Sequence, residues 1–373
     1  LKILFLRFIN MGLENLALAE TGNFPIRHEG NVHNGKVRSV YWLNDEDSKR
    51  LNDKKYGISN TSLGVMIISD RISAFDCNWQ GEQGLKGVPG KGTSLNAISQ
   101  YWFNQFYQKG LTENHILDTP HPLVWIVKKA NPILVEAIGR QYITGSMLRD
   151  YKKGVRNFCG IKLPDGLRDN QRLPELLITP TTKGILRGIP GIPEKDDVNI
   201  TREQIRANYS AFGFNSLEDV ELYERLLREG FELISQKLKL VGKIFVDTKF
   251  EFGYVNDING NAKMIYIDEV GTPDSSRMWE AESYKQGKII ENSKEGFRQF
   301  LLKNLDREIL LNSDRMDDRK QLAKNYYVPV DQILGVSKVY KEMAEKIVSA
   351  SFPKIRDAKA EILDSLNSYG VIE

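Results

Sequence analysis

The sequence predicts an α+β fold, on three observations. Residues 243–257, KIFVDTKFEFGYVND, alternate in polarity as a strand does. Residues 216–242, SLEDVELYERLLREGFELISQKLKLVG, repeat apolar side chains at helical spacing. Short β-branched runs dominate residues 35–130, while the chain beyond 293 reads as mostly helical.

In chain order, residues 12–34 are polar and rich in Gly and Asn, a loosely held lead-in. VRSVYWL, LGVMIISD and LVWIVKKA follow as strands. Between them, residues 92–110 place Leu95, Ile98, Trp102, Phe103 and Phe106 on one helical face, and Gly110 suits the end of that helix. PILVEAIGRQYITGS (132–146) continues as strand. Residues 152–200, rich in Pro and Gly, read as long ordered loops, which tend to carry function. Ser216 is a plausible N-cap for the helix after it. KEGFRQFLLKNL, GVSKVYKEMAEKIVSASF and IRDAKAEILDSLNSYG are helical at the end.

The alternating strand raises a chemical question. Ile244, Val246, Thr248, Phe250 and Phe252 share one parity, and Asp247, Lys249 and Glu251 share the other after Phe245. A solvated sheet face is the plainer reading. A second strand over 263–270 follows a connection containing Asn-Gly, a strong hairpin signal. It brings Asp268 near Glu251, with Glu269 and Arg277 close behind. Two carboxylates on neighbouring strands repel unless something positive lies between them, and Mg²⁺ with phosphate oxygens suits such a pair.

Composition excludes several classes. With 52 basic and 49 acidic residues the net charge is +3, too even for a dedicated nucleic-acid binder. Cys77 and Cys159 lack CxxC spacing, which suggests reduced cytoplasmic thiols. The four histidines show no zinc-ligand spacing. In LKILFLRFIN, Arg7 interrupts the apolar run, which argues against a signal peptide or membrane span; residues 1–10 read as an extension ahead of Met11.

Other stretches carry polar chemistry. NGKVRSVYWL sets Gly35 and Lys36 at a strand entry, a phosphate-friendly pairing that is also a common turn. IISDRISAFD crowds Asp70, Arg71, Ser73 and Asp76 together, either as a loop-capping network or as a pocket rim. PGKG presents Lys91, and GRQYITGS offers Arg140, Tyr142 and Ser146, suited to phosphate or carboxylate.

Taken jointly, GKVRSVY, SDRISAFD, PGKG, GRQYITGS, LPELLITPTTK, DTKFEFG and IDEVGTPDSSRMW resemble the SAICAR synthetase family in order and spacing over residues 34–280. The helical stretch to about 348 also resembles the family's end. The resemblance implies a two-lobed, kinase-like α+β fold with ATP between lobes and a helical C-terminal segment. It implies ATP- and Mg²⁺-dependent ligation of L-aspartate to carboxyaminoimidazole ribonucleotide (CAIR) in purine biosynthesis. SAICAR, ADP and phosphate would be the products, formed through an acyl phosphate, in the cytoplasm. By position, Glu251 and Asp268 match metal-holding acids, and Lys249 and Asp247 match groups facing CAIR and the transferring phosphoryl. Gly35, Lys36 and Arg38 match the ATP phosphate loop. The backbone of Val127, Lys128, Lys129 and Ala130 matches the adenine edge. Arg140, Ser146 and Arg277 match CAIR-side contacts; Asp70, Arg71, Ser73 and Lys91 fall in matched substrate-side motifs. A family His-Asp-Glu-Asn run is here KDDVNI, with Asp197 aligned to the aspartate and Asp196 in place of the histidine.

The expected organisation is an N-terminal extension (1–30), a strand-rich nucleotide-binding lobe (31–130), a larger lobe with C-terminal helices (131–349) and a C-terminal extension (350–373). The last two dozen residues leave no room for the fused carboxylase of animal members. Two rivals remain: another ATP-dependent phosphotransferase on a related fold, and a nucleotide-binding regulator that has lost catalysis. The second should have lost some of Lys36, Lys249, Glu251 or Asp268, all present here.

Overall fold

The structure is a computed structural model describing Leu13 and residues 16–58, 61–257 and 259–373. The expected extension at 1–10 lies outside these residues. The chain groups into two compact units. Unit 1 holds the chain up to Ile98 with Ile116–Lys129 and Glu291–Glu373; unit 2 holds Ser99–His115 and Ala130–Ile290. The grouping departs from a linear cut, because the helices after residue 290 join the front of the chain.

In unit 1, five antiparallel strands run in the order His33–Asn34, Arg38–Trp42, Leu63–Ile68, Val124–Lys128, Ile116–His121. Tyr41, Leu63, Val65, Ile67, Val124 and Ile126 form its core. Ile362, Leu366, Tyr369 and Val371 join the same core, so residues 350–373 supply structural packing. The described lead-in is not loosely held. Tyr41 Oη accepts from the Phe24 amide at 2.9 Å and donates to the Thr21 carbonyl at 2.7 Å. Ile26 bridges Ile372, and Arg27 Nη1 donates to the Ile372 carbonyl at 2.7 Å. Phe24 and Ile26 of the described lead-in thus share one apolar core with Ile362, Leu366 and Val371. A smaller sheet joins Ile72–Ala74, Cys77–Gly81 and Tyr327–Val328.

Unit 2 is built on the strand Lys243–Asn256, which pairs with Val135–Tyr142, Asn131–Pro132, Ala262–Ile267 and Ser276–Glu280. The stretch read as loop contains the strand Arg172–Ile178, paired to Val135–Tyr142. It sits at the sheet edge, where Pro174 is tolerated because no ladder donor is lost. The run 132–146 does not stay extended: strand ends at Tyr142 and a helix, Gly145–Lys152, begins.

The strict alternation of the long strand fails at one point. Phe245 pairs with Met278 and Asp247 with Arg277, so Val246 is an extra residue in a bulge. Phe245 therefore faces the helix, its ring 4.6 Å from that of Phe231, while Ile244 and Val246 pack with Tyr142 and Trp279 instead. Beyond the bulge the expected parity holds. Phe250 meets Phe106 and Tyr266, and Phe252 meets Tyr223 and Tyr266.

The helix Leu217–Leu240 covers this face. Ser216 Oγ caps it by accepting from Asp219 N at 3.2 Å, as expected. Val220, Tyr223, Leu226, Leu227, Phe231 and Ile234 are its buried stripe. Tyr266 Oη, from the sheet, donates to the Leu226 carbonyl at 2.9 Å. Gly230 marks the closest approach: a Cβ there would lie 2.9 Å from Phe250 Cε2 and 3.1 Å from Phe106 Cζ. On an open helix face Gly→Ala gains up to about 1 kcal/mol of propensity. Here the methyl overpacks two buried rings at a cost of about 1–3 kcal/mol. Gly230→Ala is therefore expected to lower the midpoint of thermal or urea unfolding; an unchanged or raised midpoint would contradict this packing.

Candidate active site

Beyond the bulge, the polar face of the long strand carries Asp247, Lys249 and Glu251 in succession. The neighbouring strand adds to it, since Asp247 lies opposite Arg140 and Lys249 opposite Ile138. Side chains opposite one another share a face, which brings Glu136 to the same row. Lys249 Nζ donates to Glu136 Oε1 at 2.6 Å and to Glu251 Oε1 at 3.1 Å. Lys183 Nζ donates to the other oxygen of Glu251. Glu136 Oε2 also accepts from Thr181 Oγ1 at 3.3 Å. Two carboxylates and two ammoniums thus interleave.

Burial and charge compete here. Burial disfavours the Lys249 ammonium, but Glu251 and Glu136 outweigh it and raise its pKa above the ordinary lysine value. Burial pushes Glu251 up, yet Lys249 and Lys183 prevail and hold it well below the usual carboxylate range. Glu136 goes the other way: its burial and the charges of Glu251 and Asp197 outweigh Lys249. Lys249 remains 33% exposed, so an incoming ligand can reach the ammonium.

At the next position along the strand, Asp247 accepts from Arg277 Nη1 at 2.6 Å, from the Arg277 amide at 3.2 Å and from Arg140 Nη1 at 3.5 Å. Arg140 Nε donates to Thr179 Oγ1 at 2.9 Å. Gly145, with φ of +59°, lies against Arg277: a Cβ there would sit 2.6 Å from Nη2. A side chain there would have to displace the guanidinium, and the positive φ favours glycine. Ser146 follows it in the first turn of the helix Gly145–Lys152.

Asp268 lies just past Ile267, the residue opposite Glu251, and its charge also raises the Lys249 pKa. It has φ of +62°, and the strand expected to run to 270 ends at Ile267. Glu251 and Asp268 are hard oxygen donors of the kind Mg²⁺ takes with phosphate oxygens. Among the described residues no three His, Cys, Asp or Glu side chains gather into a metal cage. Two such acids are the number Mg²⁺ takes when phosphate oxygens complete its shell. Asp197, φ +54°, is near enough to Glu136 to raise its pKa. Asp196 accepts from Gly184 N at 2.8 Å and Asp197 N at 3.0 Å.

The other expected residues stand in unit 1, apart from Ala130. Lys36 pairs with Asp76, and the turn bearing it is held by Arg71, which donates to the carbonyls of Lys36 at 2.9 Å, Gly35 at 3.1 Å and Ala19 at 2.8 Å. Arg38 is buried, its guanidinium 6.0 Å from the Trp125 ring centre. Val127 and Lys128 pair with Gly64 and Leu63, and Lys129 N donates to the Ser62 carbonyl at 2.8 Å.

Asp70 and Lys91, expected on the substrate side, are both buried in unit 1. Asp70 accepts from Leu18 N at 3.0 Å and Gly92 N at 2.8 Å, and burial raises its pKa against those amides and Lys91. Lys91 is wholly buried, its ammonium 5.8 Å from the Tyr340 ring centre. Ser73 is buried mid-strand opposite Asn78.

Sequence reading missed Glu136 and Lys183. Glu136 was within reach, since it shares the parity of Arg140 on an alternating strand. Lys183 ends the TPTTK stretch, and nothing local marks which of its residues turns toward Glu251. Lys183→Met tests the arrangement. Losing a charged hydrogen bond to buried Glu251 is expected to cost about 1–3 kcal/mol at pH 7. Because Glu251 is depressed in the folded state, that contribution exists above the unfolded carboxyl pKa of about 4.3. It fades as pH falls through the lower folded value. Denaturant titrations should show wild type and variant converging below about pH 4; a gap constant from pH 7 to 3 would refute the pairing.

The SAICAR synthetase family profile matches residues 31–309. Phosphoribosylaminoimidazole-succinocarboxamide synthase of Shewanella sp. strain ANA-3 is 59% identical over 359 residues, covering 95% of this chain and 98% of the relative. The enzyme of that name from Vibrio vulnificus strain CMCP6 is 58% identical over 367 residues, covering 97% and 100%. The SAICAR synthase of Saccharomyces cerevisiae, solved as a complex with SAICAR, superposes with a TM-score of 0.63 at 26% identity, covering 89% of this chain and 97% of that one.

Proposed function

The chain belongs to the SAICAR synthetase family, and we propose that it joins L-aspartate to CAIR with ATP, giving SAICAR, ADP and phosphate in purine biosynthesis. The observation that carries the site assignment is the row Asp247–Lys249–Glu251 with Glu136 and Lys183 interleaved. A carboxylate is a poor acyl donor. Transfer of the γ-phosphoryl to the CAIR carboxylate oxygen releases ADP and leaves an acyl phosphate. The aspartate amine then attacks the carbonyl carbon, phosphate departs and the nitrogen loses a proton.

The difficulty in the first step is electrostatic, because two anions must meet. Phosphoryl transfer calls mainly for positioning and charge neutralisation. Lys249 supplies a fixed cation, oriented by Glu136 and Glu251 before any ligand arrives. Arg140 and Arg277 present two guanidiniums around Asp247, suited with Ser146 to the phosphate or carboxylate of CAIR. Glu251 and Asp268 would hold Mg²⁺, which supplies charge neutralisation to ATP phosphates. Gly35, Lys36 and Arg38 serve ATP phosphates, and the segment Val127–Ala130 serves adenine. Asp197 faces the substrate side, and Arg71 acts by fixing the Lys36 turn.

The proposal includes a cytoplasmic location. Cys77 and Cys159 are free thiols, and no helix among the described residues is long and apolar enough to cross a membrane.

The test is ADP release that requires both CAIR and aspartate. Lys249→Met is expected to abolish that release while ATP affinity stays within about threefold, since the lysine acts on the transition state. A lysine on a merely solvated face would leave the rate intact and stability within about 0.5 kcal/mol. Asp268→Asn should lower turnover by about 10²–10³. Near wild-type turnover at saturating Mg²⁺ would remove Asp268 from the metal assignment.

A further inference from the structure

The hairpin joining Ile72–Ala74 to Cys77–Gly81 turns on two residues, Phe75 and Asp76, because Ala74 pairs with Cys77. Both have positive φ, +52° and +62°. Such two-residue turns favour Asn-Gly, since few other residues enter the left-handed region cheaply. Non-glycine residues held there cost about 1–3 kcal/mol each.

Arg319 holds the strained tip. It is buried, and it donates to the carbonyls of Phe75 at 3.1 Å, Ile309 at 3.2 Å and Asn312 at 2.7 Å. Its Nη1 also lies 3.7 Å from Asp76 Oδ2. With that oxygen backed by Arg319, Oδ1 of Asp76 accepts from the Lys36 ammonium. On the other side, Arg71 fixes the main chain at Gly35 and Lys36. Both partners stay accessible, Lys36 at 58% and Asp76 at 47%. An exposed pair contributes about 0–1 kcal/mol, too little to offset the strain. Lys36, Arg319 and Arg298 together outweigh burial and keep the carboxylate charged. Lys36 and Arg319 flank the one carboxylate, and with one of its oxygens turned to Arg319 the acid fixes where the lysine points.

We propose that Asp76 is a positioning residue for Lys36, aiming its ammonium at the nucleotide phosphates. The strained turn is kept because it delivers the acid there. This rests on the reading of Lys36 as an ATP-phosphate contact.

The experiment measures binding of a non-hydrolysable ATP analogue by calorimetry, the KM for ATP, and melting temperature. Asp76→Asn is expected to weaken analogue binding and raise the KM for ATP about tenfold, with the KM values for CAIR and aspartate little changed. Asp76→Glu should recover part of the loss. Lys36→Met/Asp76→Asn should bind no more weakly than Lys36→Met, because Asp76 acts through the lysine. The tip variant Phe75→Asn/Asp76→Gly should melt higher than wild type yet bind the analogue as poorly as Asp76→Asn. A turn with only a structural role would instead leave affinity intact. If Lys36→Met weakens binding while Asp76→Asn does not, the inference fails alone. If Lys36→Met also binds normally, the reading of Lys36 fails with it.

Discussion

Everything on the polar face of unit 2 depends on one constraint: the Lys249 ammonium must balance two carboxylates that would otherwise repel. Glu136 and Glu251 come from adjacent strands and meet at a single cation. Remove that charge and Glu136 faces Glu251 with only Lys183, on the far oxygen of Glu251, left to offset them in a partly desolvated row, where like charges interact several-fold more strongly than in water. The sheet supplies the geometry. Pairing of Asp247 with Arg140 and of Lys249 with Ile138 sets the register, and a slip of one residue would send the whole row into the phenylalanine face. Packing of Phe250 and Phe252 under the long helix thus fixes where the charges point.

Much of this was legible because it rests on period-two and period-3.6 patterns. The alternation after Phe245, the amphipathic helix from Ser216 and the hairpin pairing of Glu251 with Ile267 are all local. What escaped is what only tertiary pairing decides. The bulge at Val246 breaks the parity of Ile244 and Val246, and nothing in the apolar run around it marks where the extra residue falls. Likewise Arg172–Ile178 looked like loop because Pro174 argues against a strand unless it lies at an edge, and edge position is not written locally. Glu136 was readable by parity with Arg140, whereas Lys183 reaches Glu251 across 68 residues.

The chain's ends taught a similar lesson. Residues 350–373 matched nothing in the family pattern, yet Ile362, Leu366 and Val371 are fully buried in the core of unit 1. A resemblance carries the residues that chemistry holds in place. It is silent on apolar residues whose requirement is volume, because many sequences fill the same space.

Asp196 ties two segments of unit 2 together through the main chain. One carboxylate oxygen takes both the Gly184 and Asp197 amides. Gly184 directly follows Lys183, so this bond ties the Lys183 loop to the turn that carries Asp197. Thr182 reinforces the tie, its amide donating to the Val198 carbonyl at 2.9 Å and its hydroxyl accepting from Val198 N at 3.0 Å. A neutral imidazole offers one acceptor nitrogen; a carboxylate oxygen offers two lone pairs and a charge. A carboxylate at Asp196 therefore suits a backbone-holding task. Close by, burial and the charges of Glu251 and Asp197 raise Glu136, and Lys249 opposes them.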